Sequence, residues 1–270
     1  MEKISVNNVT LAYTRHGKGT PLMLVHGFPL DSSSWNEITP LLENEFDIIT
    51  PDLRGFGQST TIESPYTISD MADDLAGLLD HLGVEKTAMA GHSMGGYVAL
   101  AFAKKHPNRV SGLGLISSQA AADAPDRKEG RYKTAADVAE KGVGVVVEAM
   151  TPKLSADIRV QAFVRGVMER QKQSAMIGAL KAMAERENLL TLLSSLRHGS
   201  GHAFIFPLLL IHGDADALIP IDRSKEIKAA VPSAQFVELQ GAGHMPMMEF
   251  AKETAGGLKF LATSHLKMSP

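Results

Sequence analysis

Short apolar runs alternate with longer stretches of helical spacing over the first 118 residues. Val9–Arg15 has a β-rich pattern, and Leu22–His26 is a mostly apolar run bounded by Pro21 and Gly27, as expected of a buried strand. Phe46–Thr50 reads as a further strand, stopped by Pro51. Met71, Leu75, Leu78, Leu79 and Leu82 then recur at three and four, the face of an amphipathic helix, behind the capping pattern Thr67-x-x-Asp70. Thr87–Ala90 is a short strand, Gly95–His106 a helix halted by Pro107, and Val110–Ser117 the next strand. Strands and helices in this alternation require crossovers, and so a mainly parallel sheet covered on both faces.

The pattern changes at residue 119. From there to 200 strand signals fade, Ala, Leu, Met, Lys, Glu and Gln dominate, and segments 134–150, 155–172, 174–187 and 188–197 read as helices. Strand patterning resumes at Ile205–His212 and at Gln235–Leu239, each followed by a helix. The expected organisation is an α/β core domain from 1–118 and 201–270, with a helical cap, 119–200, inserted into it.

Composition narrows the chemistry. The 270 residues carry 27 Lys+Arg against 30 Asp+Glu, a formal charge of −3, with no basic run to hold nucleic acid. The chain has no cysteine, which excludes disulfides, thiolate metal sites and a cysteine nucleophile. The N-terminus lacks an apolar stretch of signal-peptide length, and Phe204–Ile211, broken by Pro207, is far short of the ~20 residues of a membrane helix. A soluble, cytoplasmic protein is the expectation.

Gly91-His92-Ser93-Met94-Gly95 matches G-x-S-x-G, with the serine at a strand-to-helix turn and small residues on both sides for tight packing. A serine hydroxyl needs a base, and the base an orienting acid. Of ten histidines, His81 and His106 lie near helix C-termini, and His16, His198, His202 and His265 lie in polar or terminal stretches. His92 is a sequence neighbour of Ser93 and badly placed to reach back to its oxygen. His244, in Gly243-His244-Met245-Pro246 between the last strand and the last helix, is the candidate base. Asp216 is the favoured acid, lying past the strand end in Gly213-Asp214-Ala215-Asp216, with Asp214 as the alternative. The chain order Ser93, Asp216, His244 suits a nucleophile elbow. The Met94 and Phe28 amides are the candidate oxyanion donors, since Pro29 has none to give. His26, Gly27, His92 and Met245 are candidate substrate contacts. Trp35 and methionines 94, 150, 168, 176, 183, 245, 247 and 248 are candidate pocket or core residues, with Met94 and Met245 favoured by adjacency. Asp52–Ser59 lacks the Walker lysine and the dinucleotide glycine spacing; Arg54 and Asp52 read as a supporting ion pair. No H-E-x-x-H or His/Asp cluster points to a metal, and no cofactor is expected.

Together His26-Gly27-Phe28-Pro29, Asp52–Ser59, Gly91–Gly96, His212–Asp216 and Gly243-His244 resemble the α/β-hydrolase superfamily over residues 5 to 262. The capped carboxylesterases, enol-lactonases and cofactor-free haloperoxidases are the nearest branch. The resemblance implies the α/β-hydrolase fold, a Ser93–Asp216–His244 triad, the two amide donors and a small-molecule ester substrate. Dehalogenases and epoxide hydrolases carry aspartate where Ser93 stands, which argues against both activities. Enol-lactonase, C–C bond hydrolase and perhydrolase chemistry use the same triad and remain alternatives, as does a ligand receptor or signalling protein on the same fold.

Overall fold

The computed structural model describes residues 1–60, 65–195 and 206–263. Strands β1 (Glu2–Val6) and β2 (Val9–His16) form a hairpin over Asn7 and Asn8, whose φ of 45° and 65° suit a two-residue turn. Then come β3 (Thr20–Val25), the short α1 (Thr39–Leu42), β4 (Phe46–Pro51), α2 (Ile68–His81), β5 (Thr87–His92), α3 (Met94–Lys105) and β6 (Val110–Ile116). Helices α4 (Pro125–Lys141), α5 (Gly144–Leu154), α6 (Ile158–Glu169), α7 (Gln173–Ala184) and α8 (Leu190–Ser195) separate β6 from β7 (Leu208–Gly213). The chain continues through α9 (Asp222–Ala230), β8 (Gln235–Leu239), α10 (Pro246–Glu249) and α11 (Ala251–Thr263).

The eight strands form one sheet in the order β1-β2-β4-β3-β5-β6-β7-β8. β2 runs antiparallel to β1 and β4, and every other neighbouring pair is parallel. Every residue of β5, β6 and β7 is buried, as the unbroken apolar runs of central parallel strands require. Helix α3 packs on β3, β5 and β6, and α11 on β5, β6 and β7, so the sheet is flanked by helices. The capping box of α2 is complete: Thr67 Oγ1 accepts the Asp70 N–H at 3.1 Å, and Asp70 Oδ2 accepts the Thr67 N–H at 2.7 Å.

Three expectations need correction. Segment 134–150 is not one helix: α4 begins at Pro125, and Gly142, with φ 84°, ends it before α5 starts at Gly144. Helix α4 buries only Ala135 and Val138, so its first half carries no apolar stripe to betray it. Arg54 does not pair with Asp52. Its Nε and Nη2 donate to Asp74 of α2 at 2.6 and 2.7 Å, while Asp52 accepts the Ser32 and Gln58 N–H groups, both at 2.8 Å. Backbone amides had already satisfied Asp52. The strand expected from Ile205 is Leu208–Gly213; Ile205 itself, residues 196–200, His198, His202, His265 and the tail 264–270 lie outside the described residues. Among the described residues no helix is long and apolar enough to cross a membrane.

Candidate active site

The turn between β5 and α3 holds a side chain in a costly conformation. Ser93 has φ 51° and ψ −115°, a region that costs a non-glycine residue about 1–3 kcal/mol unless its surroundings impose it. Those surroundings are visible. The Ser93 N–H donates to Ile116 O at 2.9 Å, and Ser93 O accepts the Gly96 N–H at 2.9 Å and the Ser118 hydroxyl at 2.8 Å. A Cβ on Gly91 would stand 2.1 Å from Gly95 O, and one on Gly95 would stand 2.2 Å from Val25 O. The elbow can close only with glycine at both places.

Two other loops meet this turn. The first follows β7: Asp216 Oδ1 accepts the Leu218 and Ile219 N–H groups at 2.8 and 2.9 Å, and Oδ2 lies 2.7 Å from His244 Nδ1 and 3.3 Å from His212 Nε2. Burial alone would raise this carboxyl, but the His244 charge, the two imidazole hydrogen bonds and the Ile219 amide hold it far below the usual carboxylate range. Asp214 instead accepts the Gly241 N–H at 2.6 Å and so braces the neighbouring loop. The second loop, after β8, carries His244, whose N–H donates to Leu154 O at the end of α5 at 3.0 Å. Glu249 anchors the same loop by accepting the Gly243 N–H at 2.7 Å and the Ser155 hydroxyl; burial pushes its carboxyl up.

Ser93 and His244 line one cavity of about 380 Å³. Its floor includes Phe28, and its walls come from the helices after β6: Met150 and Val146 of α5, Met183 of α7, and Arg127 and Arg131 of α4. The Nδ1–H of His244 faces Asp216, which leaves Nε2 as the ring's free acceptor. The N–H of Met94, the first residue of α3, lies at the helix N-terminus, where backbone N–H groups have no intrahelical partner.

The residues read as substrate contacts take other places. His26 is fully buried, its Nε2 accepting the Leu53 N–H at 2.9 Å and its Nδ1 lying 3.0 Å from Gly27 O. Gly27 packs on His92: a Cβ there would meet His92 Nδ1 at 2.6 Å. His92 Nε2 donates to His244 O at 2.8 Å, while Nδ1 is buried without a partner. Desolvation, reinforced by the nearby His244 charge, pushes the His92 imidazole well below its ordinary value, so it stays neutral. Met245 is fully buried at the start of α10 and, like His26, Gly27 and His92, does not line the cavity. Of the candidate methionines, Met150 and Met183 line it, whereas Met94, favoured by adjacency, contributes a buried side chain.

A family model described as the alpha/beta hydrolase fold matches residues 20–251. The chain belongs to that family. Among solved structures, the malate-bound thermophilic esterase of Thermogutta terrifontis is 34% identical to this α/β-hydrolase, with a TM-score of 0.90 over 98% of this chain and 99% of that one. The enol-lactonase of Burkholderia xenovorans LB400 shares the fold at 24% identity and a TM-score of 0.87, over 97% and 100% of the two chains. The dihydrolipoyllysine-residue acetyltransferase component of an acetoin cleaving system from Pseudomonas putida is 32% identical over 87% of this chain, which spans only 61% of that protein's length.

Several residues that position or line the site in this α/β-hydrolase have no sequence signature of their own. Ser118 acts on Ser93 O and Glu249 on the Ser155 hydroxyl, partners brought close only by the fold. Tyr97, one turn into α3, forms a wall between the cavity of Ser93 and a second one of about 190 Å³ lined by Gln119, Lys104 and Arg186. Helical spacing from the elbow serine is the only hint the chain offers for it. Among the described residues no group of three or more His, Asp or Glu side chains is placed to hold a metal.

Proposed function

We propose that this α/β-hydrolase cleaves carboxylic esters of small molecules through an acyl-enzyme on Ser93. The observation that carries the reading is the arrangement of His244: its Nδ1 is 2.7 Å from Asp216 Oδ2, and its ring opens on the cavity that also holds the strained Ser93. The 34% identity to an esterase over 98% of the chain supports the same reading.

His244 Nε2 takes the Ser93 proton as Oγ attacks the acyl carbon, and the ionised Asp216 holds the tautomer and stabilises the imidazolium. The Phe28 and Met94 amides donate to the developing oxyanion, each worth about 2.7–4 kcal/mol in comparable sites. His244 then protonates the leaving alcohol, and a water molecule repeats the sequence to release the acid. Residues 119–200 act as a cap that walls the acyl site and selects the ester. Hydrolysis of 4-nitrophenyl esters of increasing acyl length by the wild type and by Ser93→Ala tests the reading. Turnover should vanish in the variant, and a fluorophosphonate should label only the wild type. A folded Ser93→Ala protein at full rate sinks it.

A further inference from the structure

The charges around the Ser93 cavity are of one sign. Its charged lining residues are Arg127, Arg131 and Lys153, and no Asp or Glu lines it. Composition does not explain this, because the chain as a whole has more acids than bases, 30 against 27. Nor does local neutralisation. On the same run of helices Lys128, Lys141, Arg159 and Arg165 each have a carboxylate of their own in Glu185, Asp137, Asp157 and Glu148.

The cavity cations are arranged differently. Arg127 and Arg131 are one turn apart on α4, and a single carboxylate, Asp123, serves them both together with Arg186. One negative charge therefore stands against three guanidinium groups, with Asp123 fully buried behind them. Asp123 engages Nε of Arg131, whose side chain is only 13% exposed, and holds it against the cavity wall without neutralising the cluster. Arg127 is tied by Nη2 to Leu218 O at 3.4 Å, in the loop that carries Asp216. Lys153, exposed at the end of α5, has no ion-pair partner among the described residues. The other carboxylates near the site are committed: Asp216 to His244 and backbone amides, Glu249 to Gly243 and Ser155. The remaining lining is largely apolar, with Phe28, Val146, Met150, Leu180 and Ile219. A cavity with an apolar wall, a reacting serine and an unbalanced set of cations fits a ligand with an alkyl body and an anionic end.

We infer that the preferred substrate is an ester bearing a carboxylate away from the bond that is cleaved, such as a half-ester of a dicarboxylic acid. Arg127, Arg131 and Lys153 set that preference. The inference rests on the serine-esterase reading above and names its substrate class. The oxyanion amides and His244 handle the reacting carbonyl, so the basic residues are specificity-determining and take no proton in the reaction.

The test compares kcat/KM for the mono-4-nitrophenyl ester of pimelic acid with that for 4-nitrophenyl heptanoate, whose acyl chain is equally long but neutral, after subtracting spontaneous hydrolysis. The wild type should favour the anionic ester by about tenfold or more, a difference of about 1.4 kcal/mol. That ratio should fall severalfold in Arg131→Gln, in Arg127→Gln and in Lys153→Gln, mostly through KM, and should shrink in high salt. If Arg131→Gln does not fold, the exposed Lys153→Gln carries the comparison alone. Equal or better use of the neutral ester by the wild type overturns the inference, as does a preference that survives all the substitutions; in both cases Ser93-dependent turnover leaves the esterase reading standing. Release of nitrophenol from neither ester by folded wild type removes that reading and the inference with it.

Discussion

The loops at the carboxyl edge of the sheet and the helical segment α4–α8, of which α4, α5 and α7 line the same cavity, are held by different forces. At the sheet edge the side chains around His244 are fastened to main chain: Asp216 to the Leu218 and Ile219 amides, His92 to His244 O, Ser118 to Ser93 O, and Glu249 to the Gly243 amide. Among the helices ion pairs between side chains recur, as in Arg131 and Arg186 to Asp123, Lys128 to Glu185, and Arg165 to Glu148, beside a few ties to carbonyls such as Gln173 to Val138 O. Replacing a side chain that is bonded to buried main chain leaves an amide or carbonyl unpaired. Solvent-exposed side-chain pairs can be exchanged with little disturbance to the fold. The loops around Ser93 are thus the more rigid half, and under the proposed function the wall that would select the ligand is the half open to change.

The largest expected effect breaks the rigid half. Asp216→Asn keeps the size of the side chain but favours the wrong imidazole tautomer, and kcat should fall by about 10³–10⁴. Asp214→Asn, which touches only the Gly241 amide, should stay within about tenfold of the wild type. Steady-state kinetics on one ester decides between them. Comparable losses in the two variants would remove Asp216 from the special place its two amides and two imidazoles give it.

The next effect breaks the helical half at its one buried node. Asp123 has a fully buried side chain, and the Arg186 and Arg131 guanidiniums overcome its burial to keep its carboxyl below the ordinary range. Asp123→Asn leaves those guanidiniums without a counter-charge, and removing one partner of a buried pair costs about 3–5 kcal/mol. Urea unfolding should show a loss near the lower end of that range, because Arg131 retains some solvent contact. A variant as stable as the wild type would show that the helices stand without this node.

The same contrast governs what could be read from the chain beforehand. The strands, the elbow and the order of Ser93, Asp216 and His244 are written in local patterns, since apolar runs, glycine spacing and turn residues act over a few positions. Position in the turn favours Asp216 over Asp214, and it is Asp216 that lies 2.7 Å from His244 Nδ1. Where a role depends on what the fold brings near, local pattern fails. Sequence proximity pairs Arg54 with Asp52, but its partner in the fold is Asp74 on α2. Met94 and Met245 were favoured by adjacency, yet Met150 and Met183 face the cavity from helices more than fifty residues away in sequence from both Ser93 and His244. The first half of α4, with Arg127 and Arg131, escaped notice because it lies outside the core and has no apolar period to find.

A smaller effect tests the rigid half through pH. His92 is held neutral in the folded protein, because burial depresses its imidazole well below the ordinary value of about 6.5. Below that pH the unfolded chain binds a proton at this residue and the folded chain does not, so stability rises with pH through this window and falls on acidification. Between pH 7.5 and 5.5 the wild type should lose more stability than His92→Asn, which cannot titrate. Equal losses in the two proteins would mean that His92 accepts a proton without giving up its hold on His244 O.

The smallest effect sharpens the comparison from outside. Arg165 Nη1 and Nη2 donate to Glu148 at 2.6 and 3.0 Å, a bidentate pair joining α6 to α5. Its geometry is as good as that of the Asp123 node, so distance alone would predict a similar cost of removal. Water makes the difference: the Glu148 side chain is 72% exposed, and both groups regain hydration when the pair is broken. Arg165→Gln should therefore shift Tm by less than about 2 °C, with the shift shrinking further in high salt. A larger shift that persists in salt would mean that α5 and α6 are clamped by their surface pairs. The cavity wall would then be rigid as well, and the contrast between the anchored loops around Ser93 and an adaptable wall would fail.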